Sequence, residues 1–334
     1  MEKRIIISAY NIHSGGGKVL LRELLSSLPK EYEFFIFLDD RLDISIQETE
    51  KIKTLRVKNS FLSRLFAERK LKKISKKFDS LFCFGNLPPL FKSKIKTTIY
   101  LQNKYLISPK FICRDSFQSV IRMSIEKIWF ELRKSKDYLY LVQTSTMKVA
   151  FFKNQGNDFN VKTFPFLPKI IDRNTTADKD QGFLYIASDE KHKNHKNLIA
   201  AWKELANEGI TPSLTLVINK GKLSDQIKEA SSANKLNIKV IHDIKREDIF
   251  KLYTKSEALI YPSLMESFGL PLLEAKHFNL PIIASEMDYV RDVVKPIETF
   301  DPHSPISISR AIKRFMSINS EIEIPSTESI FDEL

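Results

Sequence analysis

Short continuous apolar runs alternate with helical stripes from one end of this chain to the other. RIIISAY (4–10) reads as a strand, and the leucines at 20, 21, 24, 25 and 28 behind it fall on one helical face. EFFIFLD (33–39) is the next strand. A helix over 61–78 places Ala67, Leu71, Ile74 and Phe78 together. Strands at 80–85 and 97–103 follow, separated by the proline turn Asn86–Pro89. A long helix then aligns Phe117, Val120, Ile121, Ile125, Ile128, Trp129 and Leu132, a stripe that reads as core. The strand 138–144 and a helix over Thr144–Lys153 close this half.

The second half repeats the order with greater regularity. Strands at 183–188, 213–219, 237–242, 258–261 and 280–285 are separated by helices, the first of them carrying Leu198, Ile199, Trp202, Leu205 and Ala206 on one face. A short helix near 288–294, FDP at 300–302 and a last helix with Ile308, Ala311, Ile312 and Phe315 complete it. Continuous apolar strands alternating with helices predict an α/β protein whose parallel sheets are covered on both faces. At 334 residues the chain suits two such domains of roughly 150 residues each. The polar run 172–181, preceded by Pro165 and Pro168, marks the join. The division expected is a Rossmann-like domain over 1–168, a linker over 169–181, a second Rossmann-like domain over 182–319 and an acidic tail over 320–334. Two sheets of this kind face one another across a cleft, and ligands bind at the carboxyl ends of their strands.

The stretch YPSLMESFGLPLLEAKH (261–277) concentrates the chemistry. An apolar strand breaks at Pro262 and Ser263, passes Gly269 and restarts as a helix with Pro271 in its first turn. The free N–H groups of such a helix start suit a phosphate. Lys193, or Lys196, in KHKNHKNL (191–198) comes from a neighbouring strand–helix unit and would neutralise a second phosphate. Glu274, about one turn into the helix, would accept two hydrogen bonds from a vicinal ribose diol. Glu266 would face whatever the distal phosphate carries. A solvated lysine or a dipole-complementing glutamate explains each residue alone, but not their convergence on one crevice. A hydrolase carboxylate pair is the rival, set aside because a phosphate-binding helix start between the acids has no use in hydrolysis. NIHSGGG (11–17) is a glycine turn that brings a backbone close to a ligand or to its own packing neighbours.

Charge changes the picture in one place. The net +12 is carried wholly by residues 1–165, where 31 Lys and Arg face 16 Asp and Glu; beyond them the count is 22 against 25. Such asymmetry points to an anionic surface met by one half. The basic helix 61–78 either lies on an anionic membrane or is a solvated cover for the sheet. No apolar run reaches the roughly 18 residues of a membrane span, and Ile5–Ala9 is too short for a signal-peptide core, so a cytoplasmic protein is expected, associated at most with the membrane's inner face. Cys83 and Cys113 lack metal-ligand spacing and read as free thiols.

ESFGLPLLE resembles the paired-glutamate signature (E, seven residues, E) of glycosyltransferase family 4, retaining sugar-nucleotide transferases of the GT-B fold. GGG after the first strand, VQTSTM after 141, PF at 165–166, HKN at 192–194 and FDP extend the resemblance nearly end to end. It implies that Glu274 holds the nucleotide ribose and Glu266 the donor sugar. Lys193 and the amides of Phe268, Gly269 and Leu270 would hold the diphosphate, while Gly16 and Gly17 approach from the opposite domain. It further implies transfer from a nucleotide-diphosphate sugar to a glycan or lipid-linked acceptor, in bacterial surface polysaccharide or lipopolysaccharide synthesis, with no metal and no cofactor. Two departures stand out: Ser188 lies near the place of a family Arg, and Gln102 and Asn103 stand where many members carry a His. The alternative is a catalytically degenerate scaffold that binds anionic lipid or nucleic acid; nucleic acid is the weaker partner, since the basic helix has few aromatics beyond Phe61 and Phe66.

Overall fold

A computed structural model describes residues 3–107, 117–166, 168 and 179–318. The first sheet contains β1 (Arg4–Ala9), β2 (Glu33–Asp39), β3 (Ile52–Val57), β4 (Ser80–Cys83), β5 (Lys96–Leu101), β6 (Leu139–Val142) and β7 (Asn160–Thr163). They lie in the order 3-2-1-4-5-6-7, all parallel. Helices α1 (Gly15–Ser26), α2 (Phe61–Ser75), α3 (Phe117–Arg133) and α4 (Ser145–Gln155) connect them. The second sheet contains β8 (Phe183–Ile186), β9 (Leu214–Val217), β10 (Ile238–Ile241), β11 (Ala258–Tyr261), β12 (Ile282–Ser285) and β13 (Glu298–Phe300). Its order, 10-9-8-11-12-13, is again parallel throughout, and α5 (His195–Asn207), α6 (Lys222–Ala233), α7 (Arg246–Lys255), α8 (Leu270–His277), α9 (Asp288–Arg291) and α10 (Pro305–Phe315) accompany it.

Side-chain alternation along the central strands divides the first domain's interior in two. Ile6 enters one cluster and Ile7 the other; Phe37 lies with Ile6, and Ile36 and Leu38 with Ile7. In the second domain β11 and β12 are buried along their whole length, as strands covered on both faces must be. Three strands were absent from the pattern: β3, β7 and β13. Each is an edge strand. β7 buries one of its four residues, Val161, so no continuous apolar run announces it.

The α3 stripe is a correction. Phe130 is buried against the sheet, but Ile121, Ile125, Ile128 and Leu132 are 43%, 58%, 58% and 73% exposed. Phe130 lies about 160° around the helix from Ile128, and Trp129 at the edge of the stripe packs against the core, so the apolar pattern marked mainly the outer face. The side chain of Phe117 and the whole of Cys113 lie outside the described residues, as do most of the linker and the tail from 319. Cys83 is a buried free thiol. Among the described residues no helix is long and apolar enough to cross a membrane.

Glu68 of α2 is fully buried, accepting hydrogen bonds from the Tyr10 hydroxyl and, at 2.8 Å, from Leu90 N–H. Burial pushes its pKa up to about 7 against the opposing pull of the Leu90 amide and Arg133. A carboxyl whose folded pKa is raised is stabilising while protonated and loses that contribution as pH rises through the folded value. About 3 kcal/mol should disappear between pH 4.5 and pH 8 from this group. Glu68→Gln, whose amide can donate to Tyr10 and accept from Leu90, should flatten this decline; urea unfolding at both pH values measures it, and an unchanged slope would refute the assignment.

Candidate functional site

The central loops at the carboxyl end of the second sheet are bound to one another before any ligand is considered. Asn194 takes a left-handed conformation (φ 61°), from which its side-chain amide donates to Pro262 O at 3.0 Å and Pro302 O at 2.7 Å. Leu264 N–H donates to His192 O at 2.8 Å, and the Tyr185 hydroxyl donates to Lys193 O at 2.6 Å. The HKN, PSLMESFG and FDP segments therefore form one rigid floor, although more than a hundred residues separate the first from the last.

Glu266 and Lys193 meet on that floor. The Lys193 ammonium donates to both carboxylate oxygens, at 2.7 and 2.9 Å, and the Tyr261 hydroxyl donates to Oε1 at 2.9 Å. The two charged side chains are only 10% and 15% exposed. Burial pushes the Glu266 pKa up, but the Lys193 charge and hydrogen bond outweigh it, and the net shift is downward. The carboxylate is thus held ionised in a nearly dry setting. Lys196, by contrast, is exposed on α5.

Gly269 caps α8 in the left-handed region at φ 74°, where a Cβ would also press on Leu272 at 3.0 Å. Phe268 is buried beneath the turn, and Leu270 leans across the cleft into the smaller core cluster of the first domain. There it meets the glycine turn: a Cβ on Gly16 would sit 3.1 Å from Leu270 Cδ1. Gly17 faces Ile12 and Gln102 of its own domain instead. The positive φ in that turn belongs to Gly15. Gln102 is held by Phe84 O at 2.9 Å, and Asn103 caps the turn that carries Lys104 and Tyr105.

Glu274 occupies the second half of the site and is 5% exposed. Arg246 donates to its Oε1 at 2.6 Å and the Tyr253 hydroxyl to its Oε2 at 2.9 Å. Burial raises its pKa, opposed by Arg246 and Tyr253, and the net shift is upward. Neither α7 residue was singled out from the sequence. A signal existed: Arg246 is the first residue of its helix, where a cation opposes the dipole and needs an acid nearby.

Polar contacts among the described residues also join the domains. Lys104 N–H donates to Ser267 Oγ at 3.2 Å, the Tyr105 hydroxyl lies 3.4 Å from His192 Nδ1, and Thr146 N–H at the start of α4 donates to Asp292 Oδ2 at 2.9 Å. The first two border the Lys193–Glu266 pair directly in sequence. The site is therefore interdomain, with a carboxylate and cation facing the cleft and a second carboxylate set back against α7.

Solved structures share this two-domain fold over nearly the whole chain. HepE of Anabaena, in complex with UDP and glucose, superposes with a TM-score of 0.69 at 14% identity, covering 94% of this chain and 90% of that one. Sucrose-phosphate synthase from Thermosynechococcus elongatus gives 0.67 at 16% identity, with 95% and 90% covered. The fold is GT-B. Residues 168–326 match the family model of glycosyl transferases group 1, a span that includes Lys193, Glu266 and Glu274. Among curated proteins, the serotype-specific mannosyltransferase WbdA of Escherichia coli is 30% identical over 152 residues, 44% of this chain and 19% of its own length. The O-antigen chain mannosyltransferase RfbU of Salmonella typhimurium is 23% identical over 217 residues, 62% of this chain and 56% of its own. The chain thus spans about a fifth of the first of these relatives and just over half of the second.

Proposed function

We propose that this protein is a retaining glycosyltransferase that moves a sugar from a nucleotide-diphosphate sugar to a glycan or lipid-linked acceptor in bacterial surface polysaccharide synthesis. The observation that carries the reading is the pairing of each carboxylate with its own cation, Glu266 with Lys193 and Glu274 with Arg246, on either side of the α8 start. In this reading Glu274 takes the ribose diol, Lys193 and the amides of Phe268, Gly269 and Leu270 take the diphosphate, and Glu266 takes sugar hydroxyls. The charge that develops on the departing diphosphate is met by Lys193 and oriented N–H groups in place of a metal. The acceptor attacks from the face the diphosphate leaves, and the diphosphate can take its proton. The O-antigen chain mannosyltransferases among the relatives support the acceptor class, and the mannosyltransferase names make nucleotide-diphosphate mannose the first donor to try.

Thermal unfolding with UDP-, GDP- and ADP-sugars tests the reading, because a ligand at a hundred times its Kd stabilises the native state by about 2.7 kcal/mol. One base should stabilise strongly, and its sugar should be transferred in a single turnover. If no sugar nucleotide shifts the transition while nucleic acid binds in a salt-sensitive manner, the degenerate-scaffold reading prevails. Both carboxylates and both cations being in place speaks against that outcome.

A further inference from the structure

Thirteen large apolar side chains are exposed among the described residues, and seven of them belong to α2 and α3. On α3 they form the outward stripe already described. On α2 they are Phe61, Leu62 and Phe66, 80%, 76% and 65% exposed, confined to the first two turns. The helices adjoin, since the Arg64 guanidinium lies 5.2 Å from the centre of the Trp129 ring, and Arg64 is one turn on from Phe61. Past Phe66 the outer face of α2 becomes basic, with Arg69, Lys72 and Lys73 exposed, and Lys76 and Lys77 follow at its end. The one acid in this helix, Glu68, is buried beneath it.

We propose that the α2–α3 face docks the protein on an anionic lipid bilayer, the apolar residues entering the headgroup boundary and the α2 lysines contacting the lipid charge. A bilayer satisfies both halves of the surface at once: apolar area is removed from water while each nearby Lys or Arg gains from the surface potential. A second copy of this chain fits poorly, because it would bring two faces of a domain with 31 basic against 16 acidic residues into contact. The face is mainly aliphatic, and Phe61 and Phe66 at the tip of α2 give a nucleic-acid strand little to stack on along its length. The apolar tip of α2 follows the carboxyl end of β3, the end of the sheet that faces the cleft, so docking here brings the cleft mouth to the lipid surface. This inference stands on the surface alone and does not depend on the proposed transfer reaction.

Co-sedimentation of the full chain with phosphatidylglycerol-containing or pure phosphatidylcholine vesicles decides it. The wild type should pellet with the anionic vesicles and be released by high salt. Ile125→Ser with Ile128→Ser should weaken this binding at least about tenfold, since two buried side chains lose their transfer free energy. Lys72→Glu with Lys73→Glu should weaken it and remove most of its salt dependence. Ile306→Ser on α10 of the second domain, at a position 53% exposed, should bind as wild type and controls for general stickiness. All these sites are exposed, so native melting temperatures should hold. No vesicle binding, equal binding to both vesicle types, undiminished binding by the isoleucine variant, or a dimer abolished by that variant would each overturn the proposal.

Discussion

Lys193→Met should lower kcat/KM for the donor by about 10²–10³, the usual cost of one preorganised charge-stabilising group. The same change should destabilise the protein, because it strands the Glu266 carboxylate in a site where it is 10% exposed. Breaking a buried pair from one side costs about 3–5 kcal/mol. These two losses separate in a double variant. Adding Glu266→Gln to Lys193→Met removes the orphaned charge, so stability should largely return, whereas transfer should stay low because neither diphosphate nor sugar regains its partner. Recovery of activity together with stability would reduce the pair to a structural role.

The pH dependence of stability supplies a second readout with opposite signs. In the wild type the Glu266 pKa is net depressed, so its contribution is present above the ordinary carboxyl value and lost as pH falls through the folded one. Without Lys193 the dominant remaining influence is burial, which raises the pKa. The contribution is then present at low pH and lost as pH rises. By this group the wild-type melting temperature should therefore fall as pH drops below the ordinary carboxyl value, whereas the Lys193→Met variant should lose stability as pH rises above it.

What could be read from the residues in order was whatever is local in the chain. A buried strand, a Pro-Ser break and a glycine before a proline-started helix specify the turn at Gly269, and the structure has it in the left-handed region at φ 74°. Both Glu266 and Glu274 sit within that one unit, so placing them on either side of the helix start needed no tertiary information. Arg246 and Tyr253 needed it, since their value lies in α7 packing beside α8. The edge strands β3 and β7 escaped for a different reason: strands with few buried residues carry little periodic signal. The α3 stripe shows the converse. Periodicity identified a helical face correctly and could not say what lay on it, because water and lipid are distinguished by the surroundings of the helix and not by its own sequence.

Arg246→Ala should weaken donor binding about 10–100-fold, the worth of one or two charge-assisted hydrogen bonds, with a smaller change in kcat. The route is indirect. Arg246 donates to one oxygen of Glu274 and Tyr253 to the other, and together they hold a carboxylate in a place where burial favours the neutral acid. Only the ionised group can accept both hydrogen bonds of a ribose diol. Affinity should accordingly fall with decreasing pH in the wild type as Glu274 takes up its proton. Removing Arg246 leaves burial less opposed, raises the Glu274 pKa further and moves that fall to higher pH. Glu274→Gln should bind weakly at every pH, with no midpoint, and Tyr253→Phe should show an intermediate loss with a smaller displacement of the midpoint. Titration calorimetry of the nucleotide diphosphate alone, run from acid to alkaline pH, reads all three. A variant lacking Arg246 that keeps the wild-type midpoint but binds weakly would mean the guanidinium, 29% exposed and 5.0 Å over the Phe250 ring, contacts the nucleotide itself. An unchanged Kd would instead remove the Glu274 pocket from donor recognition, because no ligand bound through that carboxylate can be indifferent to the charge that keeps it ionised.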